Sequence, residues 1–104
     1  MEYIGQSVTV RRDIEDLIPT FLSNRRNEVE ALRLALDWQN FEHLAYLGNR
    51  MMGCGTPYGF DQVSMLGQFI AEAAQNKNSD LLADKIAQYA DYLSCVQISF
   101  ADQE

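Results

Sequence analysis

Histidine occurs once in this chain, at His43, and cysteine twice, at Cys54 and Cys95. One imidazole and two thiols far apart in sequence offer no metal-ligand spacing and no C-x-x-C redox pair. No metal and no cofactor is therefore expected, and both cysteines are expected to be free thiols in a reducing compartment. Uncharged runs are broken by Gly, Asn, Gln or Ser well short of the ~18 apolar residues of a membrane span. The opening Met-Glu-Tyr-Ile-Gly also lacks the basic and apolar regions of a secretion signal, so the expected setting is cytoplasmic, with no membrane partner. Positive charge is scarce too. Eight Lys and Arg against fifteen Asp and Glu leave a net charge of −7, the wrong sign for binding a phosphate backbone, and nucleic acid is not an expected partner. The basic charge that exists is arginine gathered between Arg11 and Arg50, whereas residues 51–104 carry only Lys77 and Lys85 against seven acids.

With 104 residues, 47% of them apolar, the chain suffices for one domain around one core. Residues 1–10 are the only stretch with β-branched alternation. With nothing later to pair with, they are predicted to form an extended N-terminal arm, before a bundle over 11–100 and a tail at 101–104. From Asp13, a candidate N-cap, Ile14, Leu17, Ile18, Phe21 and Leu22 recur at helical period, with Glu15 and Asp16 in the first turn. Pro19 is predicted to kink or restart this helix. Ser23 or Asn24 then caps the next, with Val29, Leu32 and Leu36 inward and Glu28, Glu30 and Arg33 outward. A further helix runs from Phe41 to a stop at Thr56-Pro-Tyr-Gly59. Another opens at Phe60-Asp61 with Val63, Leu66, Phe69, Ile70 and Ala73 inward. After the turn Lys77-Asn-Ser-Asp80, the last is predicted from about Ser79 to Phe100. Links this short place neighbours antiparallel, giving an all-α, up-and-down antiparallel helical bundle of four helices with a short extra N-terminal helix.

The stretch Leu47-Gly-Asn-Arg-Met-Met-Gly-Cys-Gly-Thr-Pro-Tyr-Gly-Phe60 packs four glycines and a proline into the second half of a helical segment. Glycine inside a helix costs about 1 kcal/mol relative to alanine. Gly48, Gly53 and Gly55 are thus expected where a side chain would obstruct a neighbouring helix or a docking partner.

Taken with Leu17-Ile-Pro-Thr-Phe-Leu-Ser-Asn-Arg-Arg26, Asn40-Phe-Glu and Leu66-Gly67, this stretch resembles the histidine-containing phosphotransfer (HPt) domains of bacterial phosphorelays, from about Val8 to Val96. In that family an exposed histidine in a His-x-x-Lys-Gly pattern exchanges a phosphoryl group with a docked receiver domain. Aligned through its glycines and the Tyr58-Gly-Phe60 turn, this chain has Asn49 at the histidine position and Met52 at the lysine position, while Gly53, Gly55 and Gly59 are retained. An asparagine amide nitrogen has its lone pair delocalised into the carbonyl and is no nucleophile. A thioether cannot offset charge on phosphoryl oxygens, so no catalytic residue and no enzyme activity is expected. His43 lies six positions before Asn49, about 120° around the helix axis.

The resemblance implies a degenerate HPt module that docks on a response-regulator receiver or a histidine kinase without carrying phosphate, as inhibitor, competitor or scaffold. Pseudo-phosphotransfer proteins of plant signalling provide the family precedent, and a monomer is expected. Steps of three and four put Tyr46, Asn49, Met52, Gly53 and Thr56 on one helix face. With Arg50 they are the expected protein-binding residues. Tyr46 and Met52 could instead belong to a wide core stripe. Arg25, Arg26, Arg33 and Arg50 are either ordinary solvated or paired charges or a basic rim around that face. Two other readings stay open: an active phosphotransfer protein using His43, and a helical adaptor for an unrelated partner.

Overall fold

Pro19 begins a helix rather than bending one. In the computed structural model, which describes residues 7–102, it sits in the first turn of α1 (Ile18–Asp37), where a missing N–H costs nothing. One 20-residue helix thus replaces the two predicted from Asp13 and from Ser23 or Asn24. The residues before it form a short 3₁₀ segment, Arg12–Leu17, with no side-chain cap at its start and with Ile14 outside helical geometry. Three further helices follow: α2 (Phe41–Cys54), α3 (Asp61–Gln75) and α4 (Ser79–Cys95). The chain is an all-α helical bundle, as its apolar periodicity predicts.

Two links share one device. Asn40 N–H bonds the Ala35 carbonyl while Gln39 N–H bonds that of Leu36, and Asn78 and Lys77 repeat the pattern on Ala73 and Ala74. Both are the six-to-one and five-to-two bonds of a Schellman end, with Gln39 and Lys77 in the left-handed region at φ 52° and 54°. Each asparagine then caps the next helix, its side-chain oxygen accepting from His43 N–H and Leu81 N–H respectively, both at 3.1 Å. Between α2 and α3 the reversal is a 3₁₀ turn, Thr56–Tyr58, closed by Gly59 at φ 92°.

Two expectations at the ends of the chain are overturned. Ser7–Arg11 is not a free arm but a strand, β1, and the last helix stops at Cys95, after which Gln97–Ala101 forms β2. The strands pair in parallel from Ser7 opposite Gln97 to Arg11 opposite Ala101. Val8, Val10, Ile98 and Phe100 face the helices, and the two-residue alternation Val96, Ile98, Phe100 is the strand period. Arg12 fastens the pair from the side, its Nε donating to Asp102 at 2.7 Å. The remaining predicted arm and tail residues, 1–6 and 103–104, lie outside the described residues.

The core runs through Phe21, Leu32, Leu44, Met51, Phe60, Leu66, Ile70, Leu82, Ile86 and Tyr89. Phe69, predicted inward, is 39% exposed. It lies on the outer side of the α3–α4 seam, where the Lys85 ammonium stands 4.7 Å from its ring centroid. No helix among the described residues is long and apolar enough to cross a membrane.

Candidate protein-binding face on α2

The glycines of the central stretch divide by purpose. A Cβ at Gly48 would stand 2.7 Å from both the Ala71 nitrogen and the Gly67 carbonyl oxygen, and one at Gly55 would stand 2.5 Å from the Phe60 carbonyl oxygen. These contacts are backbone against backbone, so α2 and α3 touch only because side chains are missing there. Gly53 has no such reason: among the described residues, a Cβ at this position would meet nothing within 4 Å. It is an exposed glycine in the last turn of a helix, with the helical cost of about 1 kcal/mol uncompensated by packing.

Around it lie the other expected binding residues. Met51 points into the core while Met52 is 42% exposed, and Tyr46 is 54% exposed, so neither belongs to a core stripe. Asn49, Arg50, Gly53 and Thr56 are exposed as well. Tyr46 is held by its own helix, with its ring 5.8 Å from that of His43 and 5.7 Å from the Arg50 guanidinium. The Thr56 N–H donates to Ser64 Oγ at 2.9 Å, which ties the lower end of the face to α3. The face is therefore a shallow surface with an amide, a thioether, an aromatic ring and one guanidinium. It also carries the hydroxyls of Tyr46 and Thr56, and His43, exposed near the start of α2, stacks its ring on that of Tyr46.

Only part of an arginine rim exists. Arg33 pairs with Glu30 at 2.8 Å on the side of α1 that faces α4, and Arg26 lines the same seam. Arg25 is buried outright, and so is Glu28, which was expected to face water. Sequence reasoning missed this pair, although a signal was there: Ile18, Phe21, Arg25, Glu28, Leu32 and Ala35 follow one another at steps of three and four, a stripe that faces a core.

The buried charges tie three helices together behind the α2 face. Arg25 Nε stands 3.2 Å from Glu28 Oε1, and the Tyr89 hydroxyl donates to that same oxygen at 2.8 Å. The other guanidinium arm, Nη1, donates to Cys54 Sγ at 2.8 Å. Burial pushes the Cys54 thiol up, with Arg25 working against it, so Cys54 stays protonated and serves as packing. No cluster of three or more His, Cys, Asp or Glu able to hold a metal occurs among the described residues.

Two buried phenols make the fold sensitive to alkali. Tyr92 is raised to about 12, by burial first and the Asp61 charge second. Tyr89 is raised further by burial, then by the charge and hydrogen bond of Glu28. In the unfolded chain both titrate near 10, so above that pH the folded state keeps protons that the unfolded state releases. Their contribution is complete below pH ~10 and is lost as pH rises, by about 1.4 kcal/mol per pH unit for each tyrosine. Urea midpoints measured between pH 9 and pH 11.5 should fall accordingly, and Tyr92→Phe should make the decline shallower.

Compared with protein-family models, curated proteins and solved structures, the chain finds no match in any of the three.

Proposed function

We propose that this protein is a phosphorelay docking module of the cytoplasm: a degenerate HPt-type bundle that binds a receiver or histidine-kinase domain through the exposed face of α2 and carries no phosphate. The observation that carries this reading is Gly53. Internal packing explains Gly48, Gly55 and Gly67 but leaves this helical glycine without a structural reason. A smooth, side-chain-free step beside Asn49 and Met52 serves a partner's close approach. Tyr46 and Met52 would supply adaptable apolar contact, and Arg50 would meet the carboxylates that a receiver presents at its active site. Occupying that site without accepting phosphate makes the module an inhibitor, competitor or scaffold.

Two substitutions at one position separate docking from folding. Gly53→Ala should raise stability by about 0.5–1 kcal/mol, the helix-propensity gain, because nothing obstructs the methyl group. Gly53→Arg should leave the fold intact yet weaken binding of a receiver domain, titrated calorimetrically, by about tenfold or more. Unchanged binding in Gly53→Arg would remove the docking face from consideration. The chemistry is read independently by intact mass after incubation with a phosphoramidate donor. Only Asn49→His combined with Met52→Lys should gain an acid-labile phosphoryl group. A wild type that gains it, and loses it in His43→Gln, is instead a working carrier.

A further inference from the structure

The two sides of α2 are packed differently. Toward α3 it closes backbone to backbone at Gly48 and Gly67, whereas toward α1 it leaves a cavity of about 390 Å³, within the ~300–1,000 Å³ of small-molecule sites. Asn24, Asn27 and Ala31 of α1 line this cavity with Leu47 and Arg50 of α2, and the Arg25–Glu28 pair lies among them. The pair is buried while Asn24, Asn27 and Arg50 are exposed, so the paired charges form the floor, and the amides and the second guanidinium form the rim. That floor is incompletely bonded. Arg25 Nε, although 3.2 Å from Glu28 Oε1, and Glu28 Oε2 are both buried without a hydrogen-bond partner among the described residues, a state that buried polar atoms of native proteins rarely keep. Tyr89 takes only Oε1, and Cys54 takes only one arm of the guanidinium.

We infer that this cavity binds a free acidic α-amino acid, glutamate or aspartate. The charges that line it are two guanidiniums and one carboxylate, and a ligand with two carboxylates and one ammonium is their inverse. A simple anion such as inorganic phosphate answers Arg25 and Arg50 but is brought against Glu28, and a simple cation answers Glu28 but meets both arginines. A zwitterion satisfies both signs. Its α-carboxylate pairs with the Arg50 fork, its ammonium reaches Glu28 Oε2 once that carboxylate turns toward the cavity, and its side-chain carboxylate takes N–H groups of Arg25 that neither Cys54 nor Glu28 occupies. Asn24 and Asn27 supply further donors and acceptors at the rim, and Ala31 and Leu47 give the ligand's methylene groups an apolar wall. The excess of one positive charge among the lining residues favours an acidic side chain over a neutral one and opposes a basic one. No receiver domain is needed for this binding, so the site stands or falls apart from the docking reading.

L-Glutamate and L-aspartate are titrated into the full chain at constant ionic strength, with no partner present, and followed by backbone and side-chain amide chemical shifts. At least one of them should saturate, with shifts at Asn24, Asn27, Leu47 and Arg50. Glutarate, which lacks the ammonium, and glutamine, which lacks the second negative charge, should each bind about tenfold more weakly, the effect of one hydrogen bond to a charged group. Lysine and inorganic phosphate should bind more weakly still. Arg50→Gln and Asn27→Leu, both at exposed positions, should each weaken the acidic amino acid by about tenfold, with the helical circular dichroism retained. The proposal is overturned by absence of saturation, which leaves water as the partner of the cavity floor, or by shifts that spare Asn24 and Asn27. Glutarate or phosphate binding as tightly as glutamate would overturn it by making the cavity a plain anion site, and unchanged affinity in both variants would place the ligand elsewhere.

Discussion

Gly67→Ala should cost about 3 kcal/mol, near the upper end of what a single overpacking substitution does. A methyl group there would stand 2.6 Å from the Gly48 carbonyl oxygen, 2.6 Å from Met51 Cβ and 2.8 Å from the Met52 nitrogen. None of these is the far end of a flexible side chain, so relief requires α2 and α3 to move apart along their most intimate contact. Alanine's helical preference returns about 1 kcal/mol, which the clash exceeds. Since a domain of this size has about 5–15 kcal/mol to lose, the midpoint of urea unfolding should drop sharply. Gly53→Ala, in the adjoining helix, should move it the other way. Equal and small effects at the two positions would mean that the helices are not in the contact described.

Arg25→Met should be of similar or greater size, about 3–5 kcal/mol, because removing one member of a buried ion pair leaves the other charge uncompensated. Glu28 would keep only the Tyr89 hydroxyl on Oε1, while Oε2, buried and without a partner among the described residues already, adds to the deficit. The double replacement Arg25→Met with Glu28→Leu should recover most of that loss, since a well-packed apolar pair of similar volume is often no worse than the ionic one. Urea unfolding of the two single variants and the double variant gives the coupling between them. Strict additivity would show that the two charges do not depend on each other.

The starts of α2, α3 and α4 were legible because their signal is local, whereas α1 reads as two helices and α4 as running on to Phe100. The cap candidates of the Lys77–Asp80 turn, the stop at Thr56–Gly59 and the apolar stripe of α3 lie within a few residues of what they control. Spacing alone put Tyr46, Asn49 and Met52 on one side of α2, and only the structure shows that side to be exposed. The sheet was not legible, because β1 pairs with a partner ninety positions away, from Ser7 to Gln97, and no periodicity within either strand names the other. Val96, Ile98 and Phe100 read as the end of a helix only while that partner was unseen. Arg25 and Glu28 failed for another reason. Residue type argued for water and position argued for the core, and position prevailed with the two charges set against each other at 3.2 Å and Tyr89 donating to Glu28.

The β1–β2 pairing also decides the order in which the molecule comes together. Closing a loop of ninety residues in an unfolded chain costs about 4 kcal/mol in entropy, which an isolated two-stranded sheet is too weak to offset. Packing of α1 against α4 brings the two ends together beforehand, so the strands meet across a gap the helices have already closed. The sheet is accordingly expected to be a late seam, with the amide hydrogens of β1 and β2 exchanging faster than those at the centres of α1 and α4.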